Sequence, residues 1–152
     1  MPQKISFIDA NILGYAYERT NLQKHRIAAN LLLPCFQAKT NLALSTQILG
    51  EFFILITKKA KMPLEPRIAQ IIINDIISLP HWKIVSYNEK TVMMALNIAD
   101  NFNMPYWDSL IAATMTENDI STIYTENTKD FKVPWIKAIN PFKYDFREGS
   151  KN

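Results

Sequence analysis

Short apolar runs and stretches of helical spacing take turns along this chain, and that alternation leaves few folds open to it. The runs at 41–44, 82–85, 121–124 and 135–139 have strand length, as does the opening of the stretch 4–13. Between them, apolar residues recur every three or four positions over 12–17, 24–36 and 47–59. The same spacing follows Pro66 through Ile68, Ile71, Ile72, Ile76 and Leu79, where Pro80 ends it, and returns over 88–102 and 105–117. Strands that alternate with helices pair in parallel and need helices over both faces. The expected fold class is therefore α/β, a three-layer α/β/α sandwich around a central parallel sheet of four to five strands. The stretch 4–13 is expected at the centre of that sheet, with Asp9 at the carboxyl end of its strand and Asn11 two residues on. Open α/β sheets bind ligands outside the carboxyl ends of their strands, so an acid there faces a cleft. Asp9 suits a helix N-cap equally well, and local sequence leaves both roles open.

With 152 residues the chain is expected to form one domain over 1–143, followed by a polar tail over 144–152. The content of 48% hydrophobic and 20% charged residues argues against disorder. The first residues lack the pattern of a secretory signal, and no stretch approaches the roughly 20 apolar residues that span a bilayer. The lone Cys35 has no internal partner and is expected to be a buried thiol, for which a reducing cytoplasm is the simplest location. A net charge of +3 permits a phosphate-backbone partner without requiring one. The basic cluster of Lys58, Lys59 and Lys61 reads as a solvated helix end. In the helix over 88–102, Val92, Leu96 and Ala99 stand at core spacing, and Pro105 is expected as the first residue of the next helix.

Two further carboxylates lie where carboxylates are hard to explain. Glu51 shares a stripe with Ile48, Phe52 and Leu55 on a helix that is apolar almost all round. A buried carboxylate without a partner costs several kcal/mol or loses its charge, so Glu51 calls for a cation, a salt bridge or a tilt into water. Asp108 shares a face with Ile111, Ala112 and Met115 one turn into its helix, where the helix dipole also welcomes an acid. After the fourth strand, Thr125 and Asn127 offer hydrogen bonds and Glu126 or Asp130 offers charge, although the stretch also reads as an ordinary turn. Converging carboxylates without histidine or cysteine suit a hard, oxygen-seeking cation, magnesium or manganese, and not zinc. Such ions serve phosphoryl chemistry. A Gly-rich dinucleotide turn and a P-loop are both missing, and His25 and His81 belong to no nucleophile pattern.

In this light the chain resembles the PIN domain family, in particular the VapC-like ribonuclease toxins of toxin–antitoxin pairs. The resemblance rests on Phe7-Ile8-Asp9-Ala10-Asn11, on Ser45-Thr46-Gln47-Ile48-Leu49-Gly50-Glu51-Phe52 and on Tyr106-Trp107-Asp108-Ser109-Leu110-Ile111-Ala112-Ala113, in that order. Ile139-Asn140-Pro141-Phe142 resembles the close of the final strand. It implies that Asp9, Glu51 and Asp108 gather around magnesium or manganese as catalytic and metal-holding residues, supported by Asn11 and Thr125. It also implies RNA as substrate, a cognate antitoxin as partner and a homodimer. Lys58 and Lys129 are candidates for holding the RNA backbone. Many relatives carry Asp where this chain has Asn127, so a second metal is in doubt and Asp130 becomes a candidate to compensate. A PIN-like module that binds without cleaving is the alternative. A phosphatase of the haloacid dehalogenase type is a more remote one, since it asks for Asp where Asn11 stands.

Overall fold

A computed structural model describes residues 4–143 of the chain; the polar tail expected over 144–152 lies outside them. Five strands form one sheet: β1 (Ser6–Ile8), β2 (Leu42–Ser45), β3 (Trp82–Val85), β4 (Thr122–Tyr124) and β5 (Lys137–Ile139). All pairings are parallel and the order is β3-β2-β1-β4-β5, so the expected central position of the first strand is observed. Phe7 is registered with Ala43 on one side and Ile123 on the other, and all three are fully buried.

Six helices connect the strands: α1 (Ala10–Tyr17), α2 (Leu22–Phe36), α3 (Thr46–Ile54), α4 (Pro66–Ser78), α5 (Glu89–Phe102) and α6 (Tyr106–Glu117). The chain moves outward from β1 to β2 to β3, then crosses back to β4 and β5. Right-handed crossovers in opposite directions place the first four helices over one face and the last two over the other. The packing agrees, since α1 meets α2 and α3, α3 meets α4, and α5 meets α6. The three-layer sandwich is thus the observed fold. Among the described residues no helix is long and apolar enough to cross a membrane.

Local signals account for the helix starts. Asp9 accepts a hydrogen bond from the Ala10 amide at 2.8 Å, Asn21 caps α2, Ser45 accepts from Ile48 at 3.2 Å, and Asn88 forms a capping box with Thr91. Pro105 occupies the cap position and α6 begins one residue later than expected, which sets Asp108 in its first turn. Two other expectations change. Leu96 is 47% exposed, because α5 meets α6 through Thr91, Ala95 and Ile98, a stripe with the same spacing one residue round the helix. The helix over 47–59 is not uniform: α3 ends at Ile54 and its continuation, Leu55–Lys59, is a π-helical turn. Cys35 is buried as expected, its thiol donating to the His81 carbonyl at 3.3 Å.

Candidate active site

The strand order reverses between β1 and β4, since the chain leaves β1 toward one edge of the sheet and β4 toward the other. Connections that part in opposite directions leave a crevice at the carboxyl ends of the two strands. Asp9 follows β1 and Thr125 follows β4, and both are buried there. The Asp9 amide donates to the Tyr124 carbonyl at 3.0 Å, and the Thr125 amide to the Ile139 carbonyl at 2.9 Å, so the sheet itself holds both residues. The Thr125 hydroxyl donates to Asp9 Oδ2 at 2.7 Å and accepts from the Asn127 amide at 3.0 Å. Asn11 Oδ1 accepts from the Glu126 amide at 3.2 Å, which stitches the start of α1 to the turn after β4. The two roles left open for Asp9 are combined, because it caps α1 while facing the crevice.

An open cleft of about 330 Å³ occupies this position, and Asp9, Glu51 and Asp108 line it together with Asn11 and Asn127. Ser45 starts α3 so that Glu51 reaches the cleft from the β2 side, and Pro105 starts α6 so that Asp108 reaches it from the other face of the sheet. Among the described residues Glu51 makes no ion pair, and the one salt bridge joins Lys24 to Glu126 at 2.6 Å. That pairing, with a further bond from the Tyr15 hydroxyl at 3.2 Å, engages Glu126 away from the cleft. Asp130 lies near enough for its charge to act on Asp9 and Asp108. Lys58 and Lys129 are exposed and do not line the cleft, whereas Lys59 does.

The electrostatics are those of buried acids that also repel one another. Burial pushes the Asp9 carboxyl up, against the Thr125 and Ala10 hydrogen bonds that favour its charge, and Asp130 adds repulsion. Burial raises Glu51 as well, opposed by the Gln47 hydrogen bond and then by Lys59, while Asp9 pushes it further up. Asp108 is pushed up to about 7, first by burial and then by the charges of Asp9, Asp130 and Glu51. The donors are oxygens, as a hard cation prefers. Among the described residues no three acidic, histidine or cysteine side chains stand close enough to enclose one ion, so the cleft is open and not a preformed cage.

Two residues of the site escaped the sequence reading. Gln47 Nε2 donates to Glu51 Oε1 at 2.8 Å and to the Trp107 carbonyl at 3.0 Å, so one side chain ties α3 to α6 across the cleft. Its place one turn before Glu51 was the available signal. Trp107 is 60% exposed and lines the cleft, offering an aromatic face that its sequence context does not distinguish from a core tryptophan. A larger cavity of about 450 Å³, lined by Asn21, Lys24, Glu126, Asn140 and Phe142 among others, lies apart from the three acids.

A family model described as the PIN domain matches residues 6–134. No curated protein matches the chain in sequence. Among solved structures, the chain is similar to a toxin–antitoxin complex from Klebsiella pneumoniae, at 19% identity over 90% of this chain and 97% of that one, with a TM-score of 0.61. It is similar to VapBC2 from Rickettsia felis bound to a promoter DNA fragment, at 20% identity over 90% and 98%, with a TM-score of 0.61. It is also similar to VapC20 of Mycobacterium tuberculosis, a toxin that cleaves the sarcin-ricin loop, at 16% identity over 77% and 85%, with a TM-score of 0.58. At these identities the likeness is one of fold.

Proposed function

Because the chain belongs to the PIN domain family, whose model spans most of its length, we propose that it is a magnesium- or manganese-dependent endoribonuclease and the toxin of a toxin–antitoxin pair. The observation that carries this reading is the meeting of Asp9, Glu51 and Asp108 in one cleft at the sheet's switch point, all three shifted toward the neutral acid first by burial and then by carboxylates nearby. Asp9 and Asp108 would hold the ion, and Asn127 offers a neutral carbonyl oxygen beside them. When bound, the ion supplies an activated water and offsets charge that builds on the phosphate.

The chain's own residues do the rest. Thr125 and the Ala10 amide fix both Asp9 oxygens, so the carboxylate needs no reordering when substrate arrives. Gln47 holds Glu51 by one oxygen, leaving the other to accept a hydrogen bond from the attacking water and set it in line with the scissile phosphorus. Trp107 presents an exposed face on which an unpaired base can stack, which favours single-stranded or loop RNA. The antitoxin partner, the homodimer and a cytoplasmic location belong to the same proposal. The partner is supported by the toxin–antitoxin complexes among the similar structures, and Cys35, buried as a free thiol, suits the location.

The deciding experiment is cleavage of a structured RNA with and without chelator, comparing the parent with Asp9→Asn and Asp108→Asn. Metal-dependent cleavage lost in both variants supports the proposal, and cleavage that survives both overturns it. RNA binding without metal-dependent cleavage marks a non-cleaving module instead. The feature that favours such a module is Asn127, neutral in a cleft lined by acids.

A further inference from the structure

Among the described residues Lys59 is the one cation lining the acidic cleft, and it also lines an adjoining recess of about 130 Å³ with Asn11, Tyr15, Glu18 and Ala60, where it is again the one cation and Glu18 the one carboxylate. It therefore stands on the boundary between the two. Its place depends on a backbone irregularity. In an unbroken α-helix, residue 58 lies seven positions after Glu51 and shares its face. The π-helical turn Leu55–Lys59, closed by the Ala60 amide donating to the Leu55 carbonyl at 2.9 Å, inserts one extra residue and hands that place to Lys59. The turn is seated against α1 at Gly14, where an added Cβ would overlap the Leu55 side chain. Further along, the Leu64 amide donates to the Ile56 carbonyl at 2.9 Å and ties down the turn's exit. Among the described residues Lys59 makes no salt bridge within 4.0 Å, although carboxylates share its cleft.

We propose that Lys59 and the recess beside it form a subsite for the phosphodiester next to the cleaved one, built by the π-helical turn and the bare face of Gly14. The proposal rests on the nuclease reading above and adds which residue binds the substrate backbone. A cation free of a fixed ion pair loses little by turning to an incoming phosphate, and one placed beside the acids offsets their repulsion of a polyanion. Because the contact is to a flanking phosphate, it holds ground state and transition state alike.

The test is binding of a fluorescent single-stranded oligouridylate by anisotropy, in chelator and over a range of salt, for the parent, Lys59→Gln, Lys59→Arg, Lys58→Gln and Lys61→Gln. Lys59→Gln is expected to weaken binding about two- to fivefold at low salt, the size of an exposed ion pair. It should also flatten the dependence of log affinity on log salt by about 0.7, one single-strand phosphate contact, a slope that merely loosened folding would not change. Lys59→Arg keeps both, and Lys61→Gln behaves as the parent. Where cleavage is observed, Lys59→Gln raises KM and leaves kcat within about twofold. A parent that fails to bind at low salt, a Lys59→Gln protein that binds as the parent, or a loss that follows Lys58→Gln overturns the proposal. If the parent cleaves RNA while Lys59→Gln changes nothing, the subsite falls and the nuclease stands. If no cleavage is found but the salt slope follows Lys59, the nuclease reading falls and with it a subsite beside a cleaved bond, and Lys59 is left as the backbone contact of a module that binds without cleaving.

Discussion

Replacing Asp108 by Asn should stabilise the metal-free protein, and should do so at neutral pH more than at acid pH. Folding moves this carboxyl from an ordinary value of 3.8 up to about 7, so between those values the folded chain holds a proton that the unfolded chain has released. Stability therefore falls as pH rises through that window, and the full penalty is present above about 7. A rise of that size corresponds to about 4 kcal/mol if all of it reached the folding equilibrium. Asp108 is only half-buried, so solvent screening reduces the figure to on the order of 1 to 2 kcal/mol. The amide carries no charge and escapes the penalty. For a chain of this length that gain raises the thermal midpoint by about 2 to 8 °C at pH 8. Less than half of it, roughly, should remain at pH 5, where the folded parent is already mostly protonated at this site. The assay is thermal unfolding in chelator at both pH values, repeated with added magnesium, which should raise the parent's midpoint more than the variant's. A variant less stable than the parent at pH 8, or an equal gain at both pH values, would refute the argument that crowded acids strain this cleft.

Other expectations follow from single contacts. Thr125→Val keeps the shape but leaves Asp9 Oδ2 buried without its donor at 2.7 Å, and should cost about 1 to 3 kcal/mol in urea unfolding. An unchanged urea midpoint would show that the hydroxyl does not support the acid. Gly14→Val meets the terminal methyl of Leu55, which must turn aside, and should change stability by less than about 1.5 kcal/mol, with proteolysis of the segment around the π-helical turn as the local readout. A larger loss would mean that the Leu55 side chain has no room to turn. The Cys35 thiol, which burial pushes up, should resist an aromatic disulfide reagent until denaturant is added, and rapid labelling in native buffer would count against its burial.

Where sequence and structure part company, the reason is geometric. Helical spacing identifies α5 but allows two stripes with equal spacing, and only packing against α6 chooses Thr91, Ala95 and Ile98 over the stripe that carries Leu96. The basic cluster at the end of the helix over 47–59 is plain in the sequence. Which lysine turns to the acids depends on one inserted residue, and the propensities of Leu55 to Lys59 do not announce a π-helical turn. Glu126 and Asp130 look interchangeable in a polar turn until Lys24, about a hundred residues away in the chain, takes Glu126 out of consideration. Gln47 and Trp107 have ordinary local contexts, and their places at the cleft come from the approach of α3 to α6.

The amino-acid sequence by itself determined the layered α/β architecture, the central strand and which three acids stand out in their own segments, because period, strand length and the cost of burying charge are properties of local stretches. Tertiary structure alone decided how those acids are held and what surrounds them: the Thr125 clamp on Asp9, the Gln47 bridge, the exposed Trp107 and the lysine that faces the cleft. Each of these joins residues from different elements across the sheet's switch point. Their separation in space is set by how helices and strands pack, which no single segment encodes.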